Sequence, residues 1–532
     1  MRALLSVYDK TGVVELAQGL AELGWDLVSS GGTAKALSGA DLAVTDVADL
    51  TGYPPILGHR VVTLHPKVHG GLLADPTNDE HRADMDAHGI EPIELVVSNL
   101  YPFGSAVEDF EHGGTGPVDV IDIGGPALVR AAAKNHAHVG VVVDPADYEP
   151  VLSELRANGS LGDETRRRLA LKAFTTTSAY DAAVVNWLRE VDASAAVETG
   201  ESSTPAGDRF PASFTVSLTK APLALRYGEN PHQAAALYRT EGASPWWAAM
   251  SQHAGLALSY LNLFDADAAW LAVHDLGRPW EGSSADRPTC VIVKHANPCG
   301  VAVADDLVTA YQRAFDCDSR SAFGGIVALN RPIDEATVAA MEAAAQADVV
   351  IAPGYGEGVI DRLVAKRKNT RLLEAPPPEP DPVHLRPVTG GMLVQEPHRF
   401  LADPSGWEVV TERKPTEAER ADAALAFRIC GWVKSNSIVL VRDGAAWGIG
   451  AGQQSRVEAG QIAAAKAAGR AAGGASASDA FYPFPDGIEA AAEAGVAVIV
   501  QPGGSVRDDQ CIAKANELGL SMLFTGERHF LH

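Results

Sequence analysis

Apolar and polar positions follow two rhythms along the first 190 residues. Short apolar runs at residues 3–7, 26–29, 95–97 and 139–143 predict buried strands, whereas residues 11–23 carry apolar side chains at helical spacing. Strands that alternate with helices in this way indicate an α/β fold with a parallel sheet covered by helices. Because ligands of such sheets bind beyond the carboxyl ends of the strands, functional residues are expected there.

A second α/β region follows a polar stretch. Residues 191–220 are rich in Ser, Thr, Ala, Gly and acidic side chains and have little periodicity, which predicts a linker. The alanine-rich residues 461–472 predict a helix, because alanine has the highest helix propensity. The expected organisation is therefore one domain at 1–190, a linker at 191–220 and a second domain at 221–532.

Composition and charge exclude several classes of protein. The 532 residues include 43 Lys and Arg against 68 Asp and Glu, a net charge of −25 that disfavours nucleic-acid binding. The five cysteines form no CxxC pair, which argues against a disulfide framework and a cysteine zinc site. No apolar stretch approaches the ~18 residues of a membrane span. We expect a cytoplasmic protein without membrane or nucleic-acid partners.

Polar motifs follow two of the N-terminal strands. Ser30-Gly31-Gly32-Thr33 stands between a strand and a helix, where free N–H groups and hydroxyls could hold a monophosphate; the alternative is an ordinary turn. Asn99-Leu100-Tyr101 follows another strand and suits either substrate contact or a capped turn. His65 and His69 are not expected to bind metal, because Pro66 disfavours a helix through both.

The most informative C-terminal segment is Lys294-His295, which follows a β-branched run. Histidine is suited to proton transfer near neutral pH, and a neighbouring lysine can stabilise developing negative charge. The alternative is an exposed strand end. Pro298-Cys299 lacks the second thiol and the preceding H-x-E of the zinc deaminases, so no metal is expected.

Together these segments resemble the bifunctional purine-biosynthesis family that combines AICAR formyltransferase with IMP cyclohydrolase. The family motifs occur in order along almost the whole chain: LLSVYDKTG, SGGTA, TLHPKVHGG, NLYPF, DIGG, RAAAKNH, LRYGENPHQ, KHANPCG, SAFGG, IAPGY, KSNS, GIGAGQQSR and SDAFYPF. The resemblance implies a methylglyoxal-synthase-like parallel-sheet domain followed by a duplicated cytidine-deaminase-like domain without zinc. It also implies a homodimer whose formyltransferase sites are shared between subunits.

The resemblance implies two consecutive reactions without a permanently bound cofactor. AICAR first accepts a formyl group from the co-substrate 10-formyltetrahydrofolate to give FAICAR, and FAICAR then closes to IMP with loss of water. For the transfer, His295 is the expected proton shuttle, Lys294 stabilises the oxyanion or the leaving nitrogen, and Asn436 holds the formyl oxygen or AICAR. The remaining expected ligand-binding residues are Arg226, Tyr227, His232, Phe323, Gly324, Asp348, Gln453, Phe481, Asp486 and Arg528.

For ring closure the resemblance implies catalytic roles for Lys134, Tyr101 and Asp122. The expected nucleotide-binding residues are Ser6, Lys10, Ser30, Gly31, Gly32, Thr33, Arg60, Thr63, Asn99, Gly124 and Gly125.

The chain departs from the family pattern at two positions. At Val62 the family reads RVKTLHP, with a lysine thought to act in ring closure. At Tyr8 some relatives carry serine. Valine cannot donate a proton. Either Lys134 with Tyr101 suffices, or Lys67 reaches inward, or ring closure is weakened. The alternative functions are a monofunctional formyltransferase and a noncatalytic purine-nucleotide sensor, and the Lys294-His295 pair argues against the sensor.

Overall fold

The computed structural model describes residues 1–101, 103, 107, 116–199, 210, 212–213, 215–240, 243–279, 286–379 and 383–532. The chain forms two compact units. One comprises Met1–Leu218 with Thr240–Gly242, and the other comprises Thr219–Arg239 with Ala243–His532.

The N-terminal unit is built on a parallel five-stranded sheet of order β3-β2-β1-β4-β5. Its strands are β1 Arg2–Leu5, β2 Asp26–Ser29, β3 Val44–Asp46, β4 Leu95–Val97 and β5 Gly140–Val142. Its described helices are α1 Val13–Glu22, α2 Gly31–Ser38, α3 Val47–Thr51, α4 Pro66–Leu73, α5 Asp79–His88, α6 Gly124–Lys134, α7 Tyr148–Asn158 and α8 Asp163–Thr199. The predicted parallel α/β fold of this region is confirmed.

Alternate strand residues point to opposite faces of this sheet and are covered by different helices. Leu5 and Val97 belong to an apolar cluster with α1 and α7, whereas Leu4 and Val96 belong to a cluster with α4 and α6. Both faces are therefore buried, which explains why the strands read as continuous apolar runs.

Helix α8 continues to Thr199, beyond residue 191, where the composition predicted that a linker begins. The segment contains several alanines after residue 192, and alanine favours helix even without an apolar periodicity. The linker predicted from low periodicity therefore begins too early in the chain.

The C-terminal unit is built on a twelve-stranded mixed sheet of order β16-β21-β20-β19-β17-β18-β10-β9-β11-β12-β13-β8. The chain's later strands are β6 Leu218–Lys220, β7 Tyr238–Thr240, β8 Ser251–Ala254, β9 Thr289–Lys294, β10 Asn297–Val303, β11 Ile326–Leu329, β12 Val349–Ala352, β13 Arg371–Glu374, β14 His384–Val388, β15 Gly391–Gln395, β16 Glu408–Val409, β17 Ile438–Arg442, β18 Ala445–Gly450, β19 Ala475–Ser478, β20 Val498–Gln501 and β21 Ser521–Phe524. Strands β6 and β7 form one two-stranded ribbon, and β14 and β15 form another.

The helices of this unit are α9 Tyr260–Gly277, α10 Leu307–Cys317, α11 Ser319–Ala322, α12 Glu335–Ala343, α13 Val359–Lys366, α14 Glu417–Cys430, α15 Arg456–Ala467, α16 Asp486–Glu493 and α17 Asp508–Glu517. Helix α15 confirms the predicted helix for residues 461–467, whereas residues 468–472 of the alanine-rich segment form turns.

The two halves of the large sheet repeat one order of elements. In the first half, α9 precedes the β9–β10 hairpin, followed by α10, β11, α12, β12, α13 and β13, with the four-residue α11 added between α10 and β11. In the second half, α14 precedes the β17–β18 hairpin, followed by α15, β19, α16, β20, α17 and β21. The halves meet where β10 pairs with β18 in antiparallel orientation, at Ala302 and Ala445.

Close contact between a helix and its hairpin also occurs in both halves. A Cβ added to Gly300 of β10 would lie 1.9 Å from the Ala314 carbonyl oxygen, and one added to Gly450 of β18 would lie 1.9 Å from that of Ala459. Only glycine permits the helix backbone to approach the strand so closely.

All five cysteines are free and buried, and all lie in the C-terminal unit. Burial raises the pKa of Cys511 to about 11 and that of Cys299 to about 12. No helix among the described ranges has the length and apolar character needed to cross a bilayer.

Candidate active sites

Asn99 organises the carboxyl edge of the N-terminal sheet. Its Oδ1 accepts hydrogen bonds from the Tyr8 amide at 2.6 Å and the Asp9 amide at 2.9 Å, while its Nδ2 donates to the Asp9 carbonyl at 2.8 Å. Next to it, the Ser6 amide donates to the Val97 carbonyl at 2.8 Å. These bonds fix the loop that follows β1 against the end of β4.

The predicted phosphate cradle lies at the same edge. Ser30 is the N-cap of α2, and the Thr33 hydroxyl donates to the Val7 carbonyl at 3.0 Å. The Lys10 ammonium donates to the Tyr8 carbonyl at 3.1 Å and would lie 3.7 Å from a Cβ added to Gly32. Gly31, the first residue of α2, has a φ of +55°. A helix N-terminus beside an amine is suited to bind a phosphate monoester.

Asp122 stands at the N-terminus of α6. The Gly125 amide donates to its Oδ1 at 2.8 Å, and its own amide donates to the Tyr180 hydroxyl at 2.8 Å. Burial raises the pKa of this carboxyl despite the Gly125 bond. A carboxyl with a raised pKa is suited to exchange protons near neutral pH.

Tyr101 follows β4 and packs edge-on against Tyr8, with ring centroids 4.4 Å apart. Tyr8, one of the two departures from the family pattern, thus forms an aromatic pair with an expected catalytic residue. Near Asp122, the Thr63 hydroxyl would lie 3.3 Å from a Cβ added to Gly124. Arg60 is exposed and pairs with Asp119 at 2.7 Å.

Val62 packs with Leu50 and Leu100 against the apolar cluster on one face of the sheet. The Lys67 ammonium donates to the Leu50 carbonyl at 3.5 Å. An apolar side chain therefore occupies the position of the family lysine. The Lys67 side chain is directed at a backbone carbonyl in the last turn of α3.

Lys134 lies at the opposite end of α6 from the expected ring-closure residue Asp122. Helix α6 begins at Gly124, beside Asp122, and ends at Lys134, so ten steps of ~1.5 Å place its ends ~15 Å apart. The next residue, Asn135, donates to the Leu72 carbonyl at 2.8 Å, and β5 begins soon afterwards. Helix α6 therefore directs the chain away from Asp122 before Lys134 is reached, and the catalytic role expected for Lys134 stays a prediction.

In the C-terminal unit, Lys294 and His295 lie at the turn of the β9–β10 hairpin. The Lys294 ammonium donates to the Gly324 carbonyl at 2.9 Å and the Phe323 carbonyl at 3.4 Å. A Cβ added to Gly324 would lie 3.3 Å from Lys294 Nζ and 3.7 Å from an Asp348 carboxylate oxygen. The structure therefore brings these expected site residues together, and the His295 side chain is exposed beside them.

Arg226 and Tyr227 precede α9 at this end of the sheet. The Arg226 amide donates to the Leu258 carbonyl at 2.9 Å, and its guanidinium lies 5.2 Å from the Tyr227 ring centroid. Arg371, which the sequence did not single out, is buried beside them; burial lowers its pKa, while Asp348 acts in the opposite direction. His232 is exposed in the following loop.

Asn297 connects the hairpin to the second half of the sheet. Its Oδ1 accepts from the Lys434 amide at 3.0 Å, two residues before Asn436. Asn436 in turn donates through Nδ2 to the Gln453 carbonyl at 2.9 Å. The antiparallel pairing of β10 with β18 thus places Asn436 and Gln453 at the same edge as His295.

A buried ion pair behind Asn436 was not singled out as a site feature by the sequence. Arg456 pairs with the fully buried Asp479 and also donates to the Asn436 side chain at 2.7 Å. The Asp479 carbonyl accepts from the His529 amide at 3.0 Å, which holds the neighbouring Arg528. The sequence feature that could have indicated this ion pair is the single acidic residue within ASASDAF, a run of mostly small residues.

Two further expected residues lie after Asp479. Phe481 is exposed, and Asp486 begins α16. Arg528 lies over the Phe530 ring at 4.5 Å.

His65 is the N-cap of α4, which begins at Pro66, so the predicted break between His65 and His69 is confirmed. Within the described ranges, no group of three or more His, Cys, Asp and Glu residues is arranged to hold a metal ion.

Two family models match the chain. The model of the AICARFT/IMPCHase bienzyme family matches residues 132–466, more than half of the chain, and a model of the MGS-like domain matches residues 12–127. A bifunctional purine biosynthesis protein PurH from Cereibacter sphaeroides is 49% identical over 547 aligned positions, covering 100% of this chain and 98% of that protein.

Two further relatives bear the same description. The protein from Ruegeria pomeroyi is 48% identical and that from Bradyrhizobium diazoefficiens 47%, each over 100% of this chain and 98% of the relative. A solved structure described as the crystal structure of ForH is 39% identical over 35% of this chain and 97% of its own, with a TM-score of 0.31. Full-length identity near one half and the family match lead to one conclusion: the chain belongs to the AICARFT/IMPCHase bienzyme family.

Proposed function

We propose that the chain catalyses the last two steps of IMP synthesis: formyl transfer from 10-formyltetrahydrofolate to AICAR, and closure of the resulting FAICAR to IMP. The observation that carries the proposal is the Lys294-His295 turn, which lies beside Asp348 and is linked through Asn297 to the Asn436 segment. Full-length similarity to bifunctional relatives favours two activities over a monofunctional formyltransferase or a nucleotide sensor.

In formyl transfer, the AICAR amine forms a bond to the formyl carbon, and the bond from that carbon to the folate nitrogen breaks. The amine is a poor nucleophile because it is conjugated with the carboxamide-bearing ring. His295 takes the proton that the amine loses, and Lys294 donates to the oxyanion or to the leaving nitrogen. Asn436 holds the formyl oxygen or AICAR. The remaining expected residues, including Arg226 and Asp348, bind the two substrates.

In ring closure, the carboxamide nitrogen of FAICAR attacks the formyl carbon of the same molecule, and the carbinolamine then loses water. Because the reaction is intramolecular, much of the barrier is lowered by holding the reacting atoms in contact. Ser30 and Thr33, with Lys10, would hold the phosphate. Asp122 and Tyr101 would exchange protons with the reacting amide and carbonyl. We assign Lys134 no contact with the substrate.

The finer architecture is also a proposal. We assign ring closure to a domain at 1–190 and formyl transfer to a duplicated, cytidine-deaminase-like domain at 221–532. The repeated order of elements in the twelve-stranded sheet supports duplication, and the single thiol at Cys299 supports a site without zinc. We further propose a homodimer with formyltransferase sites shared between subunits.

An absorbance assay of the purified protein tests the two activities separately. With AICAR and 10-formyltetrahydrofolate as substrates, tetrahydrofolate and IMP should form together, since Val62 leaves Asp122 and Tyr101 in place. Accumulation of FAICAR without IMP would contradict the second activity and support the monofunctional alternative. A Val62→Lys variant that then restores ring closure would identify the missing lysine as the cause.

A further inference from the structure

The two central hairpins of the C-terminal unit have the same turn. In the first, His295 and Ala296 have φ angles of +55° and +54°, between paired residues Lys294 and Asn297. In the second, Asp443 and Gly444 have φ angles of +52° and +75°, between the paired residues Arg442 and Ala445. Both are two-residue turns with left-handed central residues.

A carboxylate from the preceding helix holds each turn. Asp265 accepts a hydrogen bond from the Ala296 amide at 2.8 Å, with a weaker contribution from the His295 amide. Asp422 accepts from the Asp443 amide at 2.9 Å and the Gly444 amide at 3.0 Å.

The two carboxylates also occupy the same position in their helices. Asp265 is the sixth residue of α9 and Asp422 the sixth of α14. Both helices begin with a capping box, which Ser259 and Thr416 open. The second turn is therefore an internal control for the first within one molecule.

The turns differ in how much support they need. Asp-Gly is a favoured sequence for a turn with two left-handed residues, because glycine has no steric penalty there and Asp tolerates it. Ala296 carries a Cβ in the left-handed region, which costs free energy, and the His295–Ala296 pair is not a preferred turn sequence. The carboxylate of Asp265 thus stabilises a conformation that the local sequence disfavours.

We propose that Asp265 is a positioning residue for formyl transfer: it holds the strained His295–Ala296 turn so that His295 and Lys294 face the substrates. Asp422 performs the same structural task in a turn that carries neither of these residues. The inference rests on the proposed roles of Lys294 and His295, and it adds a residue that acts through them. Burial raises the pKa of the Asp265 carboxyl, whereas the hydrogen bond from the Ala296 amide and the neighbouring Lys294 act in the opposite direction.

Matched variants of the two carboxylates test the proposal. Asp265→Asn replaces the carboxylate that accepts hydrogen bonds from both turn amides with an uncharged amide. The kcat of formyl transfer should therefore fall ~10- to 100-fold, as expected when a catalytic group is misplaced by about 1 Å. The KM for AICAR should change by less than ~3-fold, because substrate-binding groups remain. Ring closure of added FAICAR by the same preparation should be unchanged, which measures the concentration of active enzyme through the other unit.

Asp422→Asn should lower the melting temperature of the C-terminal unit without lowering kcat. Equal losses of kcat in the two variants, or a normal kcat in Asp265→Asn, would overturn the proposal. The double variant Asp265→Asn/Ala296→Gly provides a rescue, since glycine relieves the left-handed strain and should recover part of the lost kcat. If the single variant does not fold, the double variant is compared with Ala296→Gly alone, and an equal kcat in the two counts against Asp265.

The proposed function and the role of Asp265 are tested by different results. Absence of formyl transfer in the wild-type protein would contradict the function itself. Full activity in His295→Ala would contradict the role of the turn. Neither result depends on Asp265.

Discussion

Asp122 illustrates at the scale of one residue how a reactive group is kept at a cost in stability. Burial raises the pKa of its carboxyl above the value in the unfolded chain. The folded state therefore binds the proton more tightly, and its stability falls as the pH rises from the unfolded to the folded pKa. This unfavourable contribution is complete above the folded pKa, and it disappears in acid.

Replacement of Asp122 by Asn should therefore raise the melting temperature of the N-terminal unit at neutral pH, because the amide oxygen can still accept the Gly125 bond without a charge. The same variant should lose ring closure by ~100-fold or more, since a proton-transfer group contributes ~100- to 10,000-fold. Thermal unfolding at several pH values, with FAICAR closure measured alongside, checks both effects. A variant that is both less stable and fully active would refute this account.

Lys134→Ala is the matched comparison at the opposite end of α6. Because ~15 Å of helix separates Lys134 from Gly124, its removal should leave the kcat of ring closure within ~3-fold of wild type. A loss as large as that of Asp122→Asn would reinstate Lys134 as a catalytic group.

The sequence anticipated those single residues whose signal is local. The segment Ser30–Thr33 and Asn99 stand directly after strands, and the edge of a parallel sheet brings such positions together. Asp265, Arg371 and Asp479 were not anticipated as site residues, because each acts on a segment distant along the chain. The contact of the half-buried Val62 with an apolar cluster likewise depends on tertiary packing that no local pattern encodes.

At the scale of elements, the approach of α15 to β18 is set by glycines. A Cβ at Gly450 would meet the Ala459 carbonyl at 1.9 Å, so Gly450→Ala must push the helix outward. We expect a loss of about 3 kcal/mol in the free energy of unfolding, the upper part of the range for overpacked cores. Denaturant unfolding of the C-terminal unit measures this change.

Gly460→Ala serves as the control on the same helix. Its added Cβ would make an ordinary contact with Ala490 at 3.9 Å, and alanine is the better helix former. This variant should gain about 0.5–1 kcal/mol. Equal losses in both variants would show that α15 tolerates no added methyl group, rather than that β18 requires glycine.

Element types followed from the sequence where periodicity was strong. Apolar runs at β1, β2 and β4 and the alanine-rich α15 were anticipated, because burial on both faces and high helix propensity leave clear patterns. The end of α8 was misplaced because propensity alone extends it. The His295–Ala296 turn has no recognisable turn sequence, since its carboxylate support comes from α9.

At the scale of the whole molecule, the proposed dimer has a distinct kinetic consequence. If formyl transfer requires residues from two subunits, its specific activity should fall on dilution, because dissociation follows mass action. Ring closure, which uses residues of one N-terminal unit, should keep its specific activity. Enzyme concentration series with both assays, together with sedimentation, measure this difference. A parallel decline of both activities, or of neither while monomers form, would contradict shared formyltransferase sites.

The repeat of elements in the large sheet was anticipated only through the family resemblance. The two halves share an order of strands and helices, capped helices and a turn geometry, yet their turn sequences are Lys294–Asn297 and Arg442–Ala445. Similar backbone requirements can be met by different side chains, so a repeat in structure need not leave an exact repeat in sequence.

The distribution of thiols gives the molecule a built-in reporter. All five cysteines are buried in the C-terminal unit with pKa values raised by burial, so the folded protein presents few reactive thiolates to alkylating reagents or oxidants. Thiol modification therefore records the opening of that unit alone and is silent to unfolding of the N-terminal unit. Tryptophan fluorescence, by contrast, responds to both, because Trp25 lies in one unit and Trp270 in the other. The two signals together resolve the stability of each half of a bifunctional chain without cutting it.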